Sequence, residues 1–144
     1  KSLGNCIYLS DSAEDVRKKI MSMYTDPNHI RVEDPGQIEG NTVFTYLDAF
    51  CFDEHFERYL PDYKNLDEMK AHYQRGGLGD VKIKRFLNSV MQETLEPIRL
   101  RREEFSKNMD YVREVLIKGT AVARETASKT LSEVKKAMKI DYFG

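Results

Sequence analysis

The chain has 144 residues, 33% of them charged, and a formal net charge of −1. This length suffices for one domain-sized core, and the balanced charge excludes a strong global attraction to nucleic acid or to anionic membranes. The two halves differ, since residues 1–79 carry 9 basic and 14 acidic side chains whereas residues 80–144 carry 14 basic and 10 acidic. A nucleic acid would therefore prefer the second half.

Residues 6–9 form a short apolar run with strand character, too short to make a sheet alone. Residues 11–24 predict the first helix, because apolar side chains recur there at spacings of three and four. Residues 25–41 predict a long loop with two prolines and two glycines, and Asn41 is expected to cap a second helix that continues in broken form as far as Pro61.

A short helix is predicted from Asn65 or Asp67 to Arg75, and the glycine pair that follows ends it. The segment Gly76-Gly77-Leu78-Gly79-Asp80 lacks the pattern of a phosphate loop, so we interpret it as a turn followed by an N-cap. Asp80 is a good N-cap for the longest helix, residues 81 to about 106, in which Pro97 predicts a kink near Thr94.

The last helical stretch is expected to begin at a cap on Asp110 and to run to about Met138, and Gly119 can divide it in two. Eight residues are expected to form its core side: Val112, Val115, Leu116, Val122, Ala123, Leu131, Val134 and Met138. The predicted fold class is therefore all-α, an antiparallel helical bundle with a short non-helical N-terminal arm.

Neither a metal site nor a membrane segment is expected. The two cysteines, Cys6 and Cys51, are far apart and match no metal spacing, so we expect reduced thiols of a cytoplasmic protein. The segment around His55 lacks the second histidine one turn away that a zinc helix uses. No apolar run approaches the ~20 residues of a membrane helix.

Five segments together carry a family resemblance: Lys1-Ser2-Leu3-Gly4-Asn5, Tyr8-Leu9-Ser10-Asp11, Tyr24-Thr25-Asp26-Pro27-Asn28, Glu39-Gly40-Asn41 and Gly76-Gly77-Leu78-Gly79-Asp80-Val81-Lys82. In that order and at those spacings, the chain closely resembles the C-terminal part of the bacterial tryptophanyl-tRNA synthetases, which are class I aminoacyl-tRNA synthetases. The resemblance covers essentially all of the chain. The sister tyrosyl enzymes share the first motif, but the segments at Thr25 and Gly76 favour the tryptophanyl family.

The resemblance implies that the chain begins inside the Lys-Met-Ser-Lys-Ser signature of the family. Lys1 matches the second lysine of this signature and Ser2 its final serine, which implies that both are catalytic residues and bind the phosphates of ATP. It further implies a C-terminal fragment of a cytoplasmic, homodimeric ligase that joins tryptophan to tRNA(Trp) through tryptophanyl-adenylate, with ATP and Mg²⁺. Because the nucleotide-binding fold that precedes the signature is absent, we expect this fragment alone to be inactive.

The resemblance also implies a division of the chain. Residues 1–10 would be the remnant of the catalytic loop with a short strand, and residues 11–144 would be the helical anticodon-binding domain. Arg99, Arg101 and Arg102 are the candidate tRNA contacts, because guanidinium groups match phosphate geometry. A solvated helix face on which these arginines pair with neighbouring glutamates is the alternative reading.

One alternative function from another class stays open at this point. A freestanding helical module that contacts RNA or another protein, without catalysis, would have the same composition and helical pattern. A native start codon just upstream of Lys1 would favour the module, whereas an upstream nucleotide-binding motif would exclude it.

Overall fold

The computed structural model describes residues 6–142. Within them six α-helices follow one another: α1 (Ala13–Met21), α2 (Thr42–Phe50), α3 (Asp53–Tyr59), α4 (Leu66–Arg75), α5 (Asp80–Ser106) and α6 (Met109–Ala137). Residues 6–142 contain no strand, which confirms the all-α prediction. The strand expected at residues 6–9 is wrong: Cys6 lies in a bend, Leu9 lies in a turn and the two residues between them have no regular structure, because no second strand within the described chain offers them backbone partners.

Side-chain caps determine where four of these helices begin. Ser12 accepts a hydrogen bond from the amide of the third residue of α1, and Asn41 and Asn65 do the same for the amides of Val43 and Glu68 in α2 and α4. Each cap satisfies a backbone donor that the first turn of a helix leaves free. The cap on Asn41 is as predicted, whereas α6 is capped by Asn108 and not by Asp110.

The chain divides into two compact units, residues 1–100 and residues 101–144, and the boundary falls inside α5. The first unit buries one apolar core to which all of its helices contribute. The core residues are Val16, Ile20, Val43, Phe44, Leu47, Phe56, Leu60, Tyr63, Met69, Tyr73, Leu78, Ile83, Phe86, Leu87, Val90, Met91 and Leu95. Their spacing of three and four within each helix is the pattern that places apolar side chains on one face.

Helix α5 continues through Pro97, which lies inside it. The apolar side chains that recur in α5 at spacings of three and four are buried from Ile83 to Leu95, but Ile98 and Phe105, which continue the same pattern, are exposed. The periodicity therefore identifies the face correctly, and burial ends where the first unit ends.

Helix α6 belongs to the second unit and is unbroken at Gly119. Its predicted core side is wrong, since Val112 is half-buried and the other seven residues of that set are exposed. Helical period predicts which residues share a face but not what covers that face. Within residues 101–142 the only other helical segment is the last turn and a half of α5, as far as Ser106, so no second long helix covers this face.

Two glycines are expected to respond oppositely to alanine. At Gly76, φ is +87° and an added Cβ would stand 2.2 Å from the carbonyl oxygen of Glu33. Gly76→Ala should therefore lower the free energy of unfolding by about 2 kcal/mol or more. At Gly119 an added Cβ meets nothing within 4 Å, so Gly119→Ala should stabilise α6 by up to about 1 kcal/mol.

Thermal and urea denaturation followed by far-ultraviolet circular dichroism measures both changes. Equal effects at the two positions would show that the left-handed turn at Gly76 is not required.

Candidate functional site

The two residues that match the family signature, Lys1 and Ser2, lie outside the described residues. The candidate site is therefore built from the segment that follows them, residues 6–11, and from the helices on which this segment rests. A second group of contacts joins the long loop of residues 25–41 to α4 and α5.

Lys19 of α1 binds the turn formed by residues 8–11. The amide of Tyr8 donates to Asp11 Oδ2 at 2.8 Å, and the amide of Asp11 donates to the carbonyl of Tyr8 at 3.0 Å. Lys19 Nζ lies 2.5 Å from Asp11 Oδ2 and 4.7 Å from the centre of the Tyr8 ring. The ion pair and the cation–π contact together fix the segment that follows the signature against the helical unit.

Asp11 and Lys19 each shift the pKa of the other in the direction that favours the charged form. The hydrogen bond from Lys19, followed by the one from the Tyr8 amide, lowers the pKa of Asp11 below its ordinary value. The hydrogen bond to Asp11 raises the pKa of Lys19. Both groups therefore stay ionised at neutral pH, and the turn is held by a permanent charge pair.

A cavity of about 380 Å³ opens beside this turn. The polar residues on its wall are Lys19, Ser22, Tyr24, Thr42 and Tyr46. The rest of the wall is formed by Cys6, Ile7 and Met23. This cavity could not be predicted from the sequence, because its lining comes from residues 6–7, from α1 and the three residues that follow it, and from α2, which are distant along the chain.

Asp80 lies at the centre of a second polar cluster. Its carboxylate accepts hydrogen bonds from the Thr25 hydroxyl at 2.7 Å and from the Tyr73 hydroxyl at 2.8 Å. His29 Nδ1 lies 3.0 Å from the same carboxylate, and the Asn41 amide donates to the Tyr73 hydroxyl at 3.3 Å. One carboxylate thus fastens the loop of residues 25–41 to α4 and to the start of α5.

Burial and hydrogen bonding act on Asp80 in opposite directions. Burial raises its pKa, but the hydrogen bonds from Thr25, His29 and Tyr73 lower it by more, so the pKa of Asp80 is depressed. Burial, followed by the bond to Asp80, raises the pKa of Tyr73. The sequence predicted Asp80 only as an N-cap. Asp80 is in fact the first residue of α5, and its side chain accepts hydrogen bonds from residues outside this helix.

The three candidate tRNA contacts, Arg99, Arg101 and Arg102, differ in burial and in hydrogen bonding. Arg99 Nη2 donates to Gln92 Oε1 at 2.7 Å, Arg99 Nε donates to Glu96 at 2.9 Å, and only 14% of its side chain is exposed. Gln92 in turn donates to the carbonyl of Ala13, so this arginine supports the packing of α5 on α1. Arg101 and Arg102, in the second unit, are exposed.

The remaining motifs are structural. Gly76 and Gly77 take positive φ angles after α4, and the amide of Gly77 donates to the carbonyl of Val32, which agrees with the interpretation as a turn. Residues 6–142 contain no group of three histidine, cysteine or acidic side chains that could hold a metal ion. Burial raises the pKa of the Cys51 thiol to about 11, so this thiol stays protonated.

None of the helices described here has the length and apolar composition needed to cross a membrane. This finding concerns residues 6–142 alone.

Comparison with known proteins gives consistent similarities. The family described as tRNA synthetases class I (W and Y) matches residues 1–96. The chain is 57% identical over 143 residues to the tryptophan–tRNA ligase of Clostridium longisporum and 62% identical to that of Streptococcus mutans. These alignments cover 99% of this chain but only 39% and 40% of the two relatives, so the chain spans about two fifths of their length.

Solved structures show the same fold. Two crystal structures of the tryptophanyl-tRNA synthetase of Campylobacter jejuni, one of them complexed with ADP and tryptophan, superpose with TM-scores of 0.68 and 0.69. Each is 22% identical in sequence, and the match covers 96% of this chain and 41% or 40% of theirs. Because the family profile matches two thirds of its residues, the chain belongs to the class I tRNA synthetases of the tryptophan and tyrosine group.

Proposed function

We propose that the protein of which this chain is part is a tryptophan–tRNA ligase, and that this chain supplies the end of its signature loop and its helical tRNA-binding region. The observation that carries the proposal is the identity of 57–62% over 143 residues to proteins named tryptophan–tRNA ligase. The reaction would activate tryptophan with ATP and transfer it to tRNA(Trp). A cytoplasmic homodimer is part of the same proposal.

The signature residues are assigned to the phosphates of ATP. An ammonium group on Lys1 and a hydroxyl group on Ser2 are chemically suited to this role, because they neutralise and hydrogen-bond the charge that builds up on departing pyrophosphate. Mg²⁺ would accompany the ATP and neutralise further phosphate charge. Ser2 precedes Tyr8 by six residues, so the turn held by Asp11 and Lys19 lies close to the signature along the chain.

The helical region is assigned to tRNA. In this proposal residues 1–10 belong to the catalytic loop, and residues 11–144 carry the anticodon-binding surface. The exposed side chains of Arg101 and Arg102 support such a role, whereas Arg99 is engaged by Gln92 and Glu96 and contributes mainly to packing. The small basic excess of residues 80–144 indicates that binding to RNA by this chain alone is weak.

The proposed activity is tested on the full-length protein by amino-acid-dependent ATP–pyrophosphate exchange and by aminoacylation of tRNA(Trp). Tryptophan should support exchange and tyrosine should not. Exchange with tyrosine alone would assign the protein to the sister specificity, and exchange with neither amino acid would reject the proposal. This chain by itself should stay at the level of a heat-killed control, because catalysis requires both reactants to be positioned together.

Charge reversal at Arg101 and Arg102 together should reduce aminoacylation by the full-length protein more than it reduces exchange. The reason is that these exposed side chains would contact tRNA, which takes part only in the second half-reaction. Arg99→Glu is the contrasting variant. It breaks the bonds to Gln92 and Glu96, so it should impair both assays together and lower the melting temperature. No loss in either assay for the double variant would place the tRNA surface elsewhere.

A further inference from the structure

A groove between α1 and α5 carries basic side chains that have no part in the site described above. The groove lies within the first unit, and its cavity has a volume of about 340 Å³. Its lining consists of Arg17 and Met21 from α1 and of Arg85, Asn88 and Ser89 from α5. Two arginines and an asparagine therefore border one opening.

Arg85 is the strongest donor available in this groove. Its neighbours one helical turn away on α5 are Val81, Lys82, Asn88 and Ser89, none of which is acidic. Its side chain is exposed, so its planar fork of N–H groups is open to a ligand. A guanidinium group with no carboxylate one turn away is suited to a phosphate, whose geometry it matches with two parallel hydrogen bonds.

Contacts within the helices orient the other donors. Asn88 Oδ1 accepts a hydrogen bond from Gln92 at 3.1 Å, which occupies the carbonyl end of the amide and leaves the Nδ2 group as a donor. The hydroxyl of Ser89 donates to the carbonyl of Arg85 at 3.3 Å, so its oxygen is left as an acceptor. The amide of Asn88 is therefore the second donor that α5 offers to an anion.

The balance of charge around the groove is positive. Glu14 binds Arg17 through Nε and Nη2, both at 3.0 Å, and lies 3.9 Å from Lys18. Glu14 therefore offsets the charge of Arg17, whereas Arg85 forms no ion pair within residues 6–142. Lys84 Nζ, 3.2 Å from the carbonyl of Met21 at the end of α1, adds a further positive charge between the two helices.

We propose that this groove binds a phosphate group of the tRNA backbone, with Arg85 and Asn88 as the principal donors and Met21 against the adjoining ribose. The inference rests on the proposed function for the presence of tRNA, but it assigns a contact surface distinct from the exposed arginines of the second unit. It predicts a backbone contact that positions the RNA without reading its sequence.

The test is direct binding of a fluorescent tRNA(Trp) transcript to the full-length protein, measured by fluorescence anisotropy at several salt concentrations from about 50 mM upwards. Arg85→Gln is compared with Arg75→Gln, which removes the same charge from an exposed position at the end of α4 in the same unit. Arg85→Gln should weaken binding about fivefold and reduce the slope of log affinity against log salt by about 1, while Arg75→Gln changes neither by as much. Because Arg85 is exposed, both variants should melt at the wild-type temperature.

Three outcomes would overturn the proposal. Equal weakening by the two variants would mean that only the total charge matters. A normal affinity for Arg85→Gln would remove the groove from the contact surface, and Asn88→Ala provides a second variant should the first fail to fold. Displacement of the transcript by inorganic phosphate, beyond that caused by chloride at equal ionic strength, would assign the groove to free phosphate. A full-length protein without tryptophan-dependent exchange would reject the proposed function and leave these binding results unaffected.

Discussion

Replacing Lys1 by alanine in the full-length protein should lower the rate of tryptophan-dependent ATP–pyrophosphate exchange by about 10²-fold, or ~3 kcal/mol of transition-state stabilisation. The charge of Lys1 is assigned to the phosphates that depart in the activation step. It therefore acts where charge develops and contributes little to ground-state binding of tryptophan. The expected result is a fall in kcat with an almost unchanged Kd for tryptophan.

The control for this variant is Lys18→Ala. Lys18 lies on α1 with 66% of its side chain exposed, and its ion pair with Glu14 is long at 3.9 Å. Its removal takes away the same charge from the same end of the chain and should leave exchange within a factor of about two, because exposed ion pairs contribute little. An exchange rate for Lys1→Ala equal to that of the control would show that the signature assignment is wrong.

Local features of the fold could be predicted from the sequence, because their physics involves only neighbouring residues. Asn41 and Asn65 cap α2 and α4 where a short polar side chain precedes an apolar period. Gly76 ends α4 where a positive φ is needed. In each case the chain contains, within four residues, both the donor that needs a partner and the group that supplies it.

Long-range features could not be predicted in the same way. The carboxylate of Asp80 looks like a helix cap from its neighbours, yet its partners Thr25 and His29 lie more than 50 residues away along the chain. The apolar residues of α6 follow the period of a buried helix, yet all of the predicted set except the half-buried Val112 are exposed within the second unit. In such cases a single sequence shows that a side chain needs a partner, but it does not show which residue the partner is.

The candidate site also contains residues that the sequence indicates and contacts that only the structure shows. The resemblance placed Lys1 and Ser2 in a signature loop, but only the structure shows Lys19 binding Asp11 and fixing the turn that follows that loop. Arg99 was a candidate for tRNA because arginines occur in a run after Pro97. Its contacts with Gln92 and Glu96, which depend on how α5 packs on α1, show that it also supports this packing.

The second large effect is expected at Asp80. Asp80→Ala should lower the free energy of unfolding of the first unit by about 3 kcal/mol or more, because three donors lose one shared acceptor and a buried donor left without a partner costs about 1–3 kcal/mol. The donors are the hydroxyls of Thr25 and Tyr73 and the ring of His29, whose side chain is only 2% exposed. Urea denaturation followed by circular dichroism measures the change.

The matched control is Asp62→Ala, which removes an aspartate that is 63% exposed and paired with Lys82, so a change within about 0.5 kcal/mol is expected. The pH dependence of stability supplies a second readout for Asp80. The pKa of Asp80 in the folded state lies below its ordinary value of 3.8. Its stabilising contribution is therefore complete above pH 3.8 and is lost as the pH falls through the folded-state pKa. The difference in stability between wild type and Asp80→Ala should therefore be constant near neutral pH and shrink in acid. A difference that did not shrink in acid would mean that the carboxylate charge is not what holds the loop of residues 25–41 to α4 and α5.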